Sequence, residues 1–428
     1  MNFIFMKGGG DMKTINVYRC LFITVSLLFI IAGTAVAEDL TPIQMLGKNI
    51  FFDKISSPDW MSCATCHAPE TGWTGPIVGI NAHGAVYRGA VPTRFGNRKP
   101  PSAAYATLSP VFYYDIDEEL FIGGNFWDGR ATGEMLGNPA ADQALGPFLN
   151  PVEQNNPDKE AVLEQIASSK YAELWEEVWG EPISLDPPAD IDKNYDRIGL
   201  AIAAYEASSE VNQFSSKYDA YLAGEAELSY QEAWGLELFE GKAMCSACHP
   251  SEGTDALFTD FTFDNLGVPK NPENPFYEMD QEFLGSGDPI NPEGMNWVDP
   301  GLGGFLETRP EFADMALANM GKHKVPTLRN VAKGFNDKDT QKAYSHNGYF
   351  KSLKSIVHFY NTRDVKPPCP DEFTLEADAL RMNCWPAPEV GDNVNTDELG
   401  DLGLTDEEED AIVAFMRTLS DGNKVKKK

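Results

Sequence analysis

Basic residues are scarce in this chain. Against 65 Asp and Glu, its 428 residues carry only 34 Lys and Arg, a formal charge of −31. A chain of that sign has no basic surface for a phosphate backbone, so nucleic acid and anionic membranes are excluded as expected partners. Long apolar runs are missing beyond the first 37 residues, and no later segment is expected to span a bilayer. What remains is a well-solvated surface, or one that docks a basic protein, on a chain long enough for two domains.

The apolar run that does occur, "LFITVSLLFIIAG" at 21–33, is short for a membrane span. It follows Lys13 and Arg19 and precedes Ala35-Val36-Ala37, an A-x-A cleavage signal. Residues 1–37 are therefore expected to be a signal peptide cut before Glu38, which makes the mature protein periplasmic; an uncleaved anchor is the alternative. "KGGG" at 7–10 reads as a translated ribosome-binding site, which places the true start at Met12.

Export decides how the cysteines are read. Cys20 leaves with the signal, and six remain: Cys63, Cys66, Cys245, Cys248, Cys369 and Cys384. The last two flank "PDEFTLEADALRMN" and, in an oxidising compartment, are expected to close a disulfide loop. The other four fall in "MSCATCH" at 61–67 and "MCSACH" at 244–249. Cys-x-x-Cys-His is the attachment signature of c-type haem: two thiols reach the two vinyl groups, and the next residue, His67 or His249, turns its imidazole to the iron. A zinc site or a redox dithiol would use the cysteines but leaves the histidine after each pair unexplained.

The surroundings repeat too. "MLGKNIFFDK" precedes the first cluster and "AWGLELFEGKA" the second, placing Gly47 and Phe51 against Gly235 and Phe239. Residues four apart share a helix face, and glycine there lets a partner approach closely. Further helices are predicted over 195–208 and over 404–420, the latter opened by a threonine cap and an acidic first turn. The expected fold is all-α, two class I cytochrome c-like domains, 38–215 and 216–428, with long irregular loops, notably 264–310.

Two such haem clusters, with "FWDGRA" at 126–131, "VPTLRNVA" at 325–332 and "SHNGYFKSL" at 345–353, resemble the bacterial di-haem cytochrome c peroxidases and their relative MauG over essentially the whole mature chain. The resemblance implies hydrogen peroxide as substrate, two covalent haem c groups, the N-terminal one peroxidatic, and a redox protein partner. It places the distal pair on Gln143 and Glu153 in "DQALGPFLNPVEQN". The residues alone also allow Asn150, Pro151 and Glu153 to be the N-cap, N1 and N3 of a helix "KEAVLEQIA". Trp127 matches the tryptophan between the two haems; Asp128 and Arg130 brace its turn or serve it. Arg329 is the candidate partner for a haem propionate, against an ordinary ion pair. His83 falls where a loop histidine caps the peroxidatic iron in cytochrome-fed peroxidases, with a solvent-exposed loop residue as the equal alternative, while His323 and His358 read as surface or packing residues. Calcium between the haems is implied too, with Lys99 or Asn97 nearest the expected asparagine in "GNRKPPS".

The second haem's far ligand separates the branches. Counting from His346 along "SHNGYFKSLKSIVHFYNTRD", the position that is Met in cytochrome-fed peroxidases and Tyr in MauG is Tyr360 here. An anionic oxygen favours oxidised iron, so the second haem is expected to store half of the oxidising power. The alternatives are Tyr360 as packing beside a Met ligand such as Met320, in a peroxidase fed by a small cytochrome c, or a non-enzymatic electron carrier.

Overall fold

The computed structural model describes residues 39–334 and 342–423, so the expected signal peptide and the expected start at Met12 lie outside the described residues. The first helix, Pro42–Phe52, begins where Thr41 and Gln44 form a reciprocal capping box and Pro42 takes the first turn. Its counterpart Tyr230–Glu240 begins the same way, with Ser229 and Glu232. Each is followed by a short 3₁₀ turn at the cysteines, Cys63–Thr65 and Cys245–Ala247.

Each of these helices crosses a partner at a glycine. Pro42–Phe52 packs on Pro188–Glu206 so closely that a Cβ on Gly47 would lie 1.8 Å from the Ala201 carbonyl oxygen. Tyr230–Glu240 packs on Asp406–Arg417, where a Cβ on Gly235 would lie 1.9 Å from the Ala411 oxygen. Phe51 and Phe239, four residues on, are both 1% exposed, and each such burial contributes roughly 1.5–3 kcal/mol. The repeated Gly-aromatic spacing therefore encodes a repeated helix crossing.

The helix predicted over 195–208 starts earlier, at Pro188, because a proline fits the first turn. The closing helix is Asp406–Arg417, with Thr405 as its cap and four acidic residues in its first turn. Around the first crossing lies a core that includes Trp73, Trp175 and Tyr205; around the second lies one with Phe258, Phe415 and Met416. A third, smaller core of Phe112, Phe121, Phe263 and Leu302 draws on both halves of the chain. The described residues from Asp39 onward accordingly pack as one compact unit.

The fold is mostly helical, as expected, with no closed sheet. Among the described residues the named strands form two antiparallel pairs, Tyr113–Asp115 with Leu120–Ile122 and Phe263–Asp264 with His323–Lys324, beside isolated bridges. The 264–310 stretch is irregular apart from short turns and the helix Gly301–Glu307. Cys369 and Cys384 are joined as a disulfide. Among the described residues no helix is long and apolar enough to cross a membrane.

Candidate functional site

Both cysteine–histidine clusters open onto one internal cavity of about 440 Å³, within the ~300–1,000 Å³ typical of cofactor sites. Cys63, Cys66, Cys245 and Cys248 are free thiols. Burial pushes Cys63, Cys245 and Cys248 up to about 12, and Cys66 up as well. They are therefore neutral, unlike a low-pKa redox dithiol. No set of four Cys and His ligand atoms gathers at either cluster among the described residues, so the zinc alternative finds no cage.

Each histidine is aimed by its own backbone. His67 Nδ1 lies 3.2 Å from the Trp73 carbonyl oxygen and His249 Nδ1 2.7 Å from that of Phe258. An Nδ1–H donating to a carbonyl leaves Nε2 as a lone pair, the form in which imidazole binds a metal. Burial keeps both rings neutral, with His67 lowered to about 4.

Glu153 and Gln143 share the cavity with the first cluster. Gln143 comes from the helix Pro139–Leu149 and Glu153 from the turn after it. Asn150 caps the end of that helix, and its Nδ2 donates to Glu153 Oε2 at 2.7 Å. The capping alternative is thereby corrected: the next helix, Lys159–Ala167, is opened by Asp158, whose side chain accepts from Ala161 N. Burial raises the pKa of Glu153, with Asn150 and Arg130 opposing.

Trp127 lies on the same cavity wall, its Nε1 donating to the Lys99 carbonyl oxygen at 2.8 Å and its ring 6.5 Å from that of His346. Asp128 does brace the turn, accepting from Arg98 and Arg130. Beside the second cluster stands Tyr360, on the helix Leu353–Thr362. Its phenol is pushed up by burial first, then by Cys245, Cys248 and Asp264. Met320 is absent from the cavity wall; its sulfur packs against Gly303.

Two expectations place differently. Arg329 touches the cavity, but its guanidinium is spent on Asp219, at 3.1 and 2.8 Å, and on the Ala256 oxygen, and it stacks over Phe214. It is a buried clamp and not a free cation for a propionate. His83 is a surface residue, its side chain 68% exposed and paired with Glu273, and the cavity lining does not include it.

Of the two readings of His323, surface or packing, the structure shows packing. It stacks on His346 with ring centroids 3.5 Å apart and 5° between planes, beside Asp299. Asp299, His323 and His346 bring ligand atoms within 4.8 Å of one another. Rings that nearly parallel hold their lone pairs in separate planes, so one ion cannot bond both imidazoles as they stand. His358 is half-buried and bonded to Glu409.

The sequence reading missed the cavity's lysines as cations. Lys324 Nζ donates to Ser109, Gly124 and Asn125; Lys342 Nζ to the Thr71 and Asn330 oxygens; Lys99 Nζ to Thr74 Oγ1 and the Pro100 oxygen. All these acceptors are neutral, and burial lowers Lys324 to about 7 and Lys99 to about 8. Buried ammonium groups without a carboxylate are costly unless a ligand brings the negative charge. A haem with two propionates is such a ligand, so the donor set fits two haems: thiols for the vinyl groups, an imidazole lone pair for each iron and cations for the carboxylates. Glu206, near Cys63 and raised to about 8 by burial, and Gln154, whose Nε2 lies 3.7 Å from Cys63 Sγ, were also missed. No motif or spacing marks any of them.

The chain is similar to known proteins. The family described as di-haem cytochrome c peroxidase matches residues 42–227. The methylamine utilization protein MauG of Paracoccus denitrificans is 34% identical over 92% of this chain and 94% of its own. The cytochrome-c peroxidase IdrP2 of Denitromonas iodatirespirans is 25% identical over 92% and 90%. The crystal structure of the diheme peroxidase BthA from Burkholderia thailandensis superposes with a TM-score of 0.67 at 29% identity, covering 90% of each chain.

Proposed function

The chain belongs to the di-haem cytochrome c peroxidase family, and on that premise we propose an exported, MauG-like peroxidase with one covalent haem c in each half. Residues 1–37 are its signal peptide to the periplasm, 38–215 hold the peroxidatic haem and 216–428 the second. Cys63 and Cys66 carry the first through thioethers, with His67 on its iron; Cys245, Cys248 and His249 hold the second. The observation that carries this reading is the shared cavity, with Glu153 and Gln143 at one cluster and Tyr360 at the other.

When bound, haem supplies the iron that draws two oxidising equivalents from hydrogen peroxide. This chain supplies proton control. Asn150 occupies Glu153 Oε2 and leaves Oε1 to take a proton from one peroxide oxygen and return it to the other. Gln143, whose amide has no partner among the described residues, donates a hydrogen bond beside it. Burial tunes Glu153 upward, toward the range in which a carboxylate both accepts and returns a proton. Trp127 bridges the two sites. Tyr360 offers the second iron a hard oxygen ligand in place of a thioether, which favours storing oxidising power over feeding electrons in from a cytochrome. A redox protein partner is the final electron source.

Spectroscopy of the purified ferric protein before and after one equivalent of peroxide tests the proposal. One five-coordinate and one six-coordinate haem are expected, with peroxide changing both spectra. Two six-coordinate haems indifferent to peroxide would make the protein an electron carrier.

A further inference from the structure

The resemblance assigns a calcium ion to the space between the haems, near Lys99 and Asn97. The residues present do not fit one. Calcium needs about six to eight oxygen ligands, several of them carboxylates or carbonyls free to turn toward it. Asn97 has its backbone oxygen engaged by Asn274 Nδ2. Lys99 brings a cation where a ligand is needed.

We infer that Lys99 and Lys342 together replace the calcium: two ammonium groups, carrying the charge of one divalent ion, hold the seam between the two halves. The oxygens that an ion would collect are taken by their N–H groups instead. Lys99 Nζ donates to Thr74 Oγ1 at 3.3 Å and the Pro100 oxygen at 3.1 Å. Lys342 Nζ donates to the Thr71 oxygen at 2.9 Å and the Asn330 oxygen at 3.0 Å. Thr71 and Thr74 follow His67 directly, whereas Asn330 belongs to the second half, so Lys342 ties the segment behind the first cluster to the other core.

The same residue positions the relay. Lys99 donates its backbone N–H to the His346 oxygen at 2.8 Å and accepts from Trp127 Nε1 at 2.8 Å. Side chain and main chain of Lys99 thus join the cation site to the tryptophan between the clusters. Burial lowers both amines, and for Lys342, which falls well below its ordinary value, repulsion from Lys99 and Lys333 adds to it. The carboxylates of two bound haems would restore the charge, and a third cation at this place would add repulsion to two existing ones.

The inference rests on the two-haem reading, so haem content is measured alongside. Holoprotein with two haems per chain is desalted, assayed for calcium and incubated with excess EDTA. The expected result is no stoichiometric calcium and a ferric spectrum and peroxide response unchanged by the chelator. About one calcium per chain, or a chelator-induced change that added calcium reverses, would overturn it. In the second arm, Lys99→Met and Lys342→Met are expected to lower haem reduction potentials, because a positive charge that favours reduced iron is gone. Lys99→Arg is expected to stay near wild type. Unchanged potentials in both methionine variants, with two haems retained, would also overturn the inference; fewer than two haems in wild type would instead refute the two-haem reading.

Discussion

Asn150 Nδ2 donates to Glu153 Oε2 at 2.7 Å inside the turn that ends the Pro139–Leu149 helix. That bond engages one carboxylate oxygen of a residue that lines the cavity. It also separates the two roles open to Glu153, because Asp158 caps the next helix without it.

Glu153→Gln is expected to slow the reaction with peroxide by about 10²-fold or more, since a positioned general base contributes on that order. Both haems should remain attached, and the fold should hold, because the glutamine amide keeps a side-chain oxygen for Asn150 Nδ2 to donate to. A pH profile adds a second reading. Burial raises the pKa of Glu153, and the base must be unprotonated, so the wild-type rate should fall as pH drops through a value above the ordinary ~4.3 of glutamate. Stopped-flow rates across pH check this: the acid limb should vanish in the variant.

The matched helix crossings give a stability test. Gly47→Ala and Gly235→Ala each put a Cβ within 2 Å of a carbonyl oxygen on the crossing helix. Backbone must shift in both, at a cost of at least about 1–3 kcal/mol. Denaturant titration of each variant should show similar losses, because the two crossings are alike. Gly137→Ala would not serve as a control, since its φ of +78° brings backbone strain of its own.

Those crossings were legible because glycine and phenylalanine recur at the same spacing before both clusters, and spacing on a helix dictates a shared face. The clusters themselves were legible for the same reason: one iron and two vinyl groups fix their order. Residues whose role depends on distant partners were not. Arg329 meets Asp219 from 110 positions away, and nothing local in "VPTLRNVA" distinguishes a clamp from a propionate ligand. Lys342 meets Thr71 from 271 positions away. The Glu153 turn was ambiguous because Asn-Pro-x-Glu suits both a helix start and the end of the preceding helix, and only tertiary placement decides.

The disulfide is expected to act through the unfolded chain. Cys369 and Cys384 close a loop over a sequence separation of 15, for which loop-closure entropy gives about 3 kcal/mol. The double variant Cys369→Ser/Cys384→Ser should lose stability of that order in denaturant titration while keeping two haems by mass, because neither cysteine lines the cavity.

Trp127→Phe removes the Nε1 donor to the Lys99 oxygen while retaining an aromatic ring. Peroxide should still react at the first site. What should slow is the appearance of oxidising power at the second, because phenylalanine is much harder to oxidise than indole and no longer hydrogen-bonds the carbonyl that fixes its place. Rapid-scan absorption at both haems checks this; simultaneous spectral change at both, at the wild-type rate, would remove Trp127 from the path.

Tyr360 decides the branch. It stands beside the second cluster with no protein hydrogen bond among the described residues, and burial holds it as a neutral phenol. A phenolate stabilises ferric iron more than a thioether does, and axial ligands move haem potentials over roughly 0.8 V. Tyr360→Met should therefore raise the potential of the second haem, keep it attached through Cys245 and Cys248, and abolish storage of oxidising power there. Tyr360→Phe separates ligation from packing: it keeps the ring that packs with Phe359 and loses the oxygen, so the second iron should gain an open position. Redox titration with absorption spectroscopy reads both variants. If neither potential nor spectrum moves in either, Tyr360 is packing, and a peroxidase fed by a small cytochrome c becomes the better account of the cavity.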